Sequence, residues 1–164
     1  MVVENVSCLR RLISMKVRYG HISNSSSSSF IVIGNSGKMV NPYYFTDGVL
    51  NIDSRIGNVE FGWEQIKYTN VGDRINFAYL QALDANNSDW LDMVEGAVSI
   101  YFPRVAQINW NLTTEDWNSP YHGHIDHQSS AGEGENIEMF ENKETLHRFL
   151  FDKDSFIQGD NDNH

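Results

Sequence analysis

Hydrophobic and polar positions follow two periods along this chain. A short apolar run rich in β-branched residues, Phe30-Ile31-Val32-Ile33, predicts a buried strand that stops at Gly34, and Asn35-Ser36-Gly37 reads as a turn. Val49-Leu50-Asn51-Ile52 predicts a second strand. In Asn58-Val59-Glu60-Phe61-Gly62-Trp63, Val59, Phe61 and Trp63 alternate with polar or small residues, which is the period of a strand with one dry face. Spacings of three and four take over next. Ile75, Ala78, Tyr79, Ala82 and Leu83 make one helical stripe, with Asp73 as its predicted N-cap. Trp90, Leu91, Val94, Ala97, Val98 and Tyr101 make another, opened by Ser88 and closed by Pro103. Val105–Leu112 returns to period two, with Val105, Gln107, Asn109 and Asn111 on the face opposite Ala106, Ile108, Trp110 and Leu112. Ile137–Phe140 reads as a short strand, and Asn142 caps a last helix, Lys143–Phe151, that turns Leu146, Phe149 and Leu150 inward.

Strands come first, then two helices, then a strand and a helix. This order predicts an α+β fold, a mostly antiparallel sheet with about three helices packed on one face. The chain has 164 residues, so one domain is expected, over residues 21–164, burying roughly 70% of its unfolded surface. Residues 1–20 read as a basic N-terminal arm. Met15-Lys16 offers a second start, which would leave residues 1–14 outside the native protein. Residues 113–135 form a polar loop longer than the roughly 12–15 residues usual in compact domains, which favours function, a hidden element or mobility. Asp160–His164 reads as a polar tail.

Charge and cysteine content narrow the setting. The net charge is −10, yet Arg10, Arg11, Lys16 and Arg18 face only Glu4 within the first 18 residues, so that arm carries +3 and the remainder −13. A body so acidic repels phosphate backbones, which disfavours nucleic acid as a partner and leaves two alternatives: solubility alone, or mimicry of nucleic acid towards a basic protein. The single cysteine, Cys8, cannot form an internal disulfide or a cysteine-based zinc site. No secretory signal pattern opens the chain and no apolar run approaches the roughly 20 residues that span a bilayer. A cytoplasmic protein with no membrane segment is expected, with no cofactor unless zinc.

Ser23-Asn24-Ser25-Ser26-Ser27-Ser28-Ser29 is the one low-complexity stretch. It reads as a linker or strand leader; alternatively, Ser25, Ser26, Ser27, Ser28 and Ser29 form a modification or recognition segment. With Phe30-Ile31-Val32-Ile33 behind it, and with Phe61-Gly62-Trp63-Glu64, Ile125-Asp126-His127-Gln128-Ser129, Phe149-Leu150-Phe151 and Ser155-Phe156-Ile157-Gln158-Gly159 later in the chain, the sequence resembles a group of small phage and bacterial proteins of unassigned activity. The resemblance implies a phage or bacterial origin and brings no activity with it.

His122-Gly123-His124-Ile125-Asp126-His127 carries the sharpest chemistry. Its H-x-H-x-D-H spacing is similar to that of the metallo-β-lactamase superfamily, whose members are metal-dependent hydrolases. The resemblance implies that His122 and His124 hold one metal ion, and Asp126 and His127 a second. The further downstream ligands of that superfamily have no counterpart here: His147 lies in a predicted helix and His164 is terminal. The other reading of the cluster is a polar loop with surface histidines. Trp117 and Tyr121 stand in the same loop as candidate partner anchors. No glycine-rich phosphate loop and no G-x-S-x-G nucleophile elbow is present. The expected function is therefore a non-enzymatic protein-binding accessory protein, virion-associated or acting on a host protein. A metal-dependent hydrolase and an acidic nucleic-acid mimic are the alternatives.

Overall fold

The computed structural model describes residues 27–46, 48–62, 65–126 and 137–161. The basic arm, Ser25, Ser26, Trp63, Glu64, His127 and the distal part of the long loop lie outside the described residues.

The fold is α+β, as the element order predicts. Strand β1 (Ser27–Val32) runs antiparallel to β7 (Phe156–Asn161), and β4 (Lys67–Tyr68) pairs antiparallel with the other edge of β7. The register sets Ile31 and Tyr68 on either side of Ile157, which is fully buried. Two short parallel pairs accompany this sheet: β2 (Val49–Ile52) with β5 (Gln107–Trp110), and β3 (Glu60–Phe61) with β6 (His124–Ile125). They are parallel because α1 (Val71–Asp84) and α2 (Ser88–Tyr101) lie between the members of each pair in sequence, and parallel strands require such a crossover. A single 3-10 turn (Glu138–Phe140) stands where a strand is expected at 137–140, and leads into α3 (Lys143–Phe151).

Helix α1 is the axis of the domain, buried from Val71 to Ala82. The predicted stripe of five apolar residues covers only one side of it. The other sides carry Asp73, Arg74 and Asn76, and their partners complete the burial. Asp73 accepts from the Asn58 backbone N–H at 2.7 Å, and Asn76 donates to the carbonyls of Asp53 and Asn58 at 3.1 and 2.9 Å. Arg74 donates to the Leu150 and Ser155 carbonyls. Ile75, Phe77, Ala78 and Leu80 fill the core with Val94 and Val98 of α2 and Leu146, Phe149 and Leu150 of α3. Edge-to-face contacts run from Tyr68 through Phe61 and Phe77 to Phe149.

The helix starts sit one to three residues before their predicted places. Asn70 caps α1 by accepting from Gly72 N–H, and Asn87 caps α2 by accepting from Trp90 N–H. Asp73 and Ser88 have the right chemistry for a cap, but asparagine serves equally and lies further upstream in both cases. Asn142 caps α3 as predicted. Ser27, Ser28 and Ser29 lie within β1, opposite Asn161, Asp160 and Gly159, so this half of the serine run is sheet backbone. The same pairing draws Asp160 and Asn161 out of the expected tail and into β7.

Candidate functional site

The long loop is not one open excursion. Its proximal part closes on itself immediately after β5. Thr113 and His122 form a parallel bridge, Thr113 N–H donates to Tyr121 O at 3.1 Å, and Gly123 N–H donates back to Thr113 O at 3.0 Å. Within this neck the polar residues satisfy the turns. Asn118 N–H donates to Asp116 Oδ1 at 3.0 Å, Tyr121 N–H to Ser119 Oγ at 3.1 Å, and His122 N–H to Ser119 O at 3.0 Å. Short side chains with acceptors close to their own backbone favour such turns over regular structure. The chain then continues as β6, placing His124 opposite Glu60 on the outer face and Ile125 opposite Phe61 on the core face.

Trp117 stands at the tip of this loop with 72% of its surface exposed. Its ring lies 4.2 Å from that of His122 and 5.5 Å from that of His124, and the two imidazoles are 5.9 Å apart. Tyr121 is 41% exposed beside it. The two anchors proposed from sequence are thus on the surface, and the histidines act as the backing of the tryptophan.

Of the three described residues of the histidine cluster, the structure brings two together; His127 lies outside the described residues. His122 and His124 alternate along one extended segment and share a face; His122 Nε2 and His124 Nδ1 are buried without a hydrogen-bond partner. Asp126 falls beyond the end of β6 and is buried, with its N–H held by Phe61 O at 2.8 Å. Among the described residues no three His, Cys, Asp or Glu side chains are placed to share a metal ion.

A second surface feature, not singled out from the sequence, adjoins the loop. Side chains on the β2–β5 pair form a chain of hydrogen bonds. Gln107 Nε2 donates to Asn109 Oδ1 at 2.7 Å, Asn109 Nδ2 to Asn51 Oδ1 at 3.0 Å, and Asn111 Nδ2 to Asp53 Oδ2 at 3.0 Å. Arg55 ends the row, its Nε and Nη2 gripping both oxygens of the buried Asp53 at 2.5–3.1 Å. The signal in the sequence was the alternation Gln107, Asn109, Asn111; the partners Asn51, Asp53 and Arg55 become visible only once β2 pairs with β5.

The Arg55 side chain holds the Asp53 carboxyl well below its ordinary 3.8, at about 2, aided by Asn111 and opposed by burial. A depressed folded-state value means that ionised Asp53 stabilises the fold fully above about pH 4, and that this contribution is lost as the pH falls through about 2. In urea titrations across that window, Asp53→Asn is expected to lose less stability on acidification than the wild type. Equal losses would show that the pair carries no folding linkage. Asp152, also lowered, retains part of the slope: burial raises it, but the N–H groups of Asp154 and Gly37 and the Ser36 hydroxyl outweigh burial.

Neither a family model, nor a curated protein, nor a solved structure matches this chain. The molecule is defined by its own architecture: an α+β protein presenting an aromatic-tipped, self-bonded loop next to a row of amide side chains. No helix among the described residues is long and apolar enough to cross a membrane.

Proposed function

We propose that this chain is a non-enzymatic protein-binding module of phage or bacterial origin, acting in the host cytoplasm or on the virion, and that it contacts its partner through the loop 113–122. The observation that carries this reading is the exposed Trp117, held in place by its histidine backing and by the turns of the loop. Tryptophan and tyrosine dominate the energetics of protein interfaces. A loop fixed by its own hydrogen bonds loses little conformational freedom on docking, so more of the contact energy appears as affinity. The acidic body favours a partner with a basic contact surface through long-range attraction.

Capture of partners from bacterial lysate by the wild type and by the double variant Trp117→Ala/Tyr121→Ala tests the surface. Loss of one interface anchor of this kind typically costs about 2 kcal/mol, roughly thirtyfold in affinity. The variant is therefore expected to lose the partner while its circular dichroism stays that of the wild type. Identical partner lists for the two proteins would sink the proposed surface.

A further inference from the structure

We propose that the cleft at the Asn51–Arg55 end of the amide row binds a neutral saccharide, one hexose ring at a time. The cleft has a volume of about 270 Å³; Tyr44, Thr46, Asn51 and Arg55 line it together with four apolar residues, Val49 and Leu50 among them. Sites for drug-sized ligands start at roughly 300 Å³, so this cleft is matched to a single small ring or the end unit of a chain.

Its chemistry selects the ligand class. Hydroxyl-rich rings are recognised by planar groups that offer donors and acceptors in fixed directions, with an aromatic surface for the apolar C–H face of the ring. Both are present. The Asn51 carbonyl is occupied by Asn109 at 3.0 Å, which fixes the amide plane and turns its two N–H donors away from the row. Those donors, the Thr46 hydroxyl and the Nη1 group of Arg55 form no hydrogen bond among the described residues. Asp53 clamps Arg55 in a fork through Nε and Nη2, which leaves Nη1 unused by the pair. Tyr44, about half exposed, supplies the aromatic ring, and its hydroxyl is tied to Asn70 at 3.3 Å.

Charge argues against an anionic ligand. The guanidinium is already paired with a buried carboxylate at 2.5 Å, so the cleft has no net positive charge to offer, and the protein as a whole carries −10. A neutral polyol meets no such opposition, since each hydroxyl accepts from the free donors without bringing a charge. The row behind Asn51 adds preorganisation: each amide is oriented by the next, so little side-chain freedom is lost when a ligand arrives.

The test is saturation-transfer NMR on the full chain with D-glucose, D-galactose, D-mannose and N-acetyl-D-glucosamine, each at about 10 mM to suit millimolar affinity, and with acetate as an anionic probe followed by chemical shift. At least one sugar is expected to receive saturation, strongest on the protons of one ring face, and to lose about tenfold in affinity in both Asn51→Ala and Tyr44→Ala. Asn51→Ala also removes the acceptor of Asn109; if that variant does not fold, Tyr44→Ala, which leaves the row intact, carries the decision. Saturation of none of the sugars, equal signals in wild type and folded variants, or shifts caused by acetate alone would each overturn the proposal. The outcome is independent of partner binding by Trp117 and Tyr121, which lie on the loop and not in the cleft.

Discussion

Alanine at position 74 is expected to destabilise the fold by about 4 kcal/mol. Arg74 is fully buried, and its guanidinium meets carbonyls where an ion pair would be the ordinary arrangement. The position of those carbonyls explains why the charge is tolerated. The last carbonyls of a helix lack partners within the helix, and at the end of α3 two of them are met from outside. Arg148 O keeps its ordinary helical partner, Asp152 N–H; beyond it, Phe151 O accepts from Val40 N–H at 2.7 Å and Leu150 O from Arg74 Nε at 3.0 Å. Arg74 is therefore the C-terminal cap of a different helix, placed where the negative end of the α3 dipole favours a cation. Burial pulls the guanidinium down from 12.5 to about 10, against the opposing pull of Asp152 and Asp73, so the group remains charged at neutral pH. Removing it strands the Leu150 and Ser155 carbonyls, at about 1–3 kcal/mol each, and opens a cavity between α1 and α3. Arg74→Met refills most of the volume but not the hydrogen bonds, and is expected to cost about half as much. Urea unfolding of both variants separates the two contributions. A loss below about 1 kcal/mol for Arg74→Ala would mean that water reaches these carbonyls and caps them instead.

This arrangement also marks the boundary of what the sequence discloses. Period and capping chemistry located α3 to the residue, because Asn142 and the triplet Leu146, Phe149, Leu150 are a local signal. They placed Val49–Ile52 equally well. The burial of Arg74, Asp73 and Asn76 has no local signal: a polar residue in a helix reads as solvent-facing unless a partner distant in sequence is known, and the partners of Arg74 lie 76 and 81 residues away. Strand β7 was hidden for a related reason. Its apolar content is Phe156 and Ile157 alone, and its last residues, Asp160 and Asn161, read as the start of a tail until β1 supplies the pairing. Strands β4 and β6, of two residues each, are too short to show any period.

The candidate surface divides along the same line. The exposure of Trp117 and Tyr121 was legible because an aromatic residue in a polar loop stands out by composition. The amide row was half legible, as the alternating Gln107, Asn109 and Asn111 of one strand. Its completion by Asn51 depends on the register that sets Asn51 opposite Asn109 in a parallel pair, and the crossover of two helices separates those residues in sequence. The histidine motif stands apart. Its spacing matched a metal-binding pattern, and the described residues show part of it: the rings of His122 and His124 are 5.9 Å apart, Asp126 is buried beyond the end of β6, and His127 lies outside the described residues.

The same substitution, glycine to alanine, is expected to act with opposite sign at two helical positions. Gly72 opens α1 directly beneath the turn that ends at Gly57. A methyl group there would fall 2.6 Å from the carbonyl carbon of Ile56 and closer still to its oxygen, and the obstruction is backbone, which cannot rotate aside. The first turn of α1 would have to move away from residues 53–58, loosening Asn76 from the Asp53 and Asn58 carbonyls and Asp73 from Asn58 N–H. A cost of about 3 kcal/mol is expected, at the upper end for overpacking, and it outweighs the gain in helix propensity. Gly96 sits in the middle of α2, where a methyl group would meet no heavy atom within 4 Å. Gly96→Ala is therefore expected to stabilise by about 0.5–1 kcal/mol, since alanine restricts the unfolded chain and suits the helix. Thermal unfolding reads both at once: in a domain of this size each kcal/mol moves the midpoint by about 2–4 °C, so Gly72→Ala should melt well below the wild type and Gly96→Ala slightly above it. A Gly72→Ala variant that melts with the wild type would mean that α1 and the 53–58 turn are not in backbone contact, and the placement of Asp53 and Arg55 beside the cleft would fall with it.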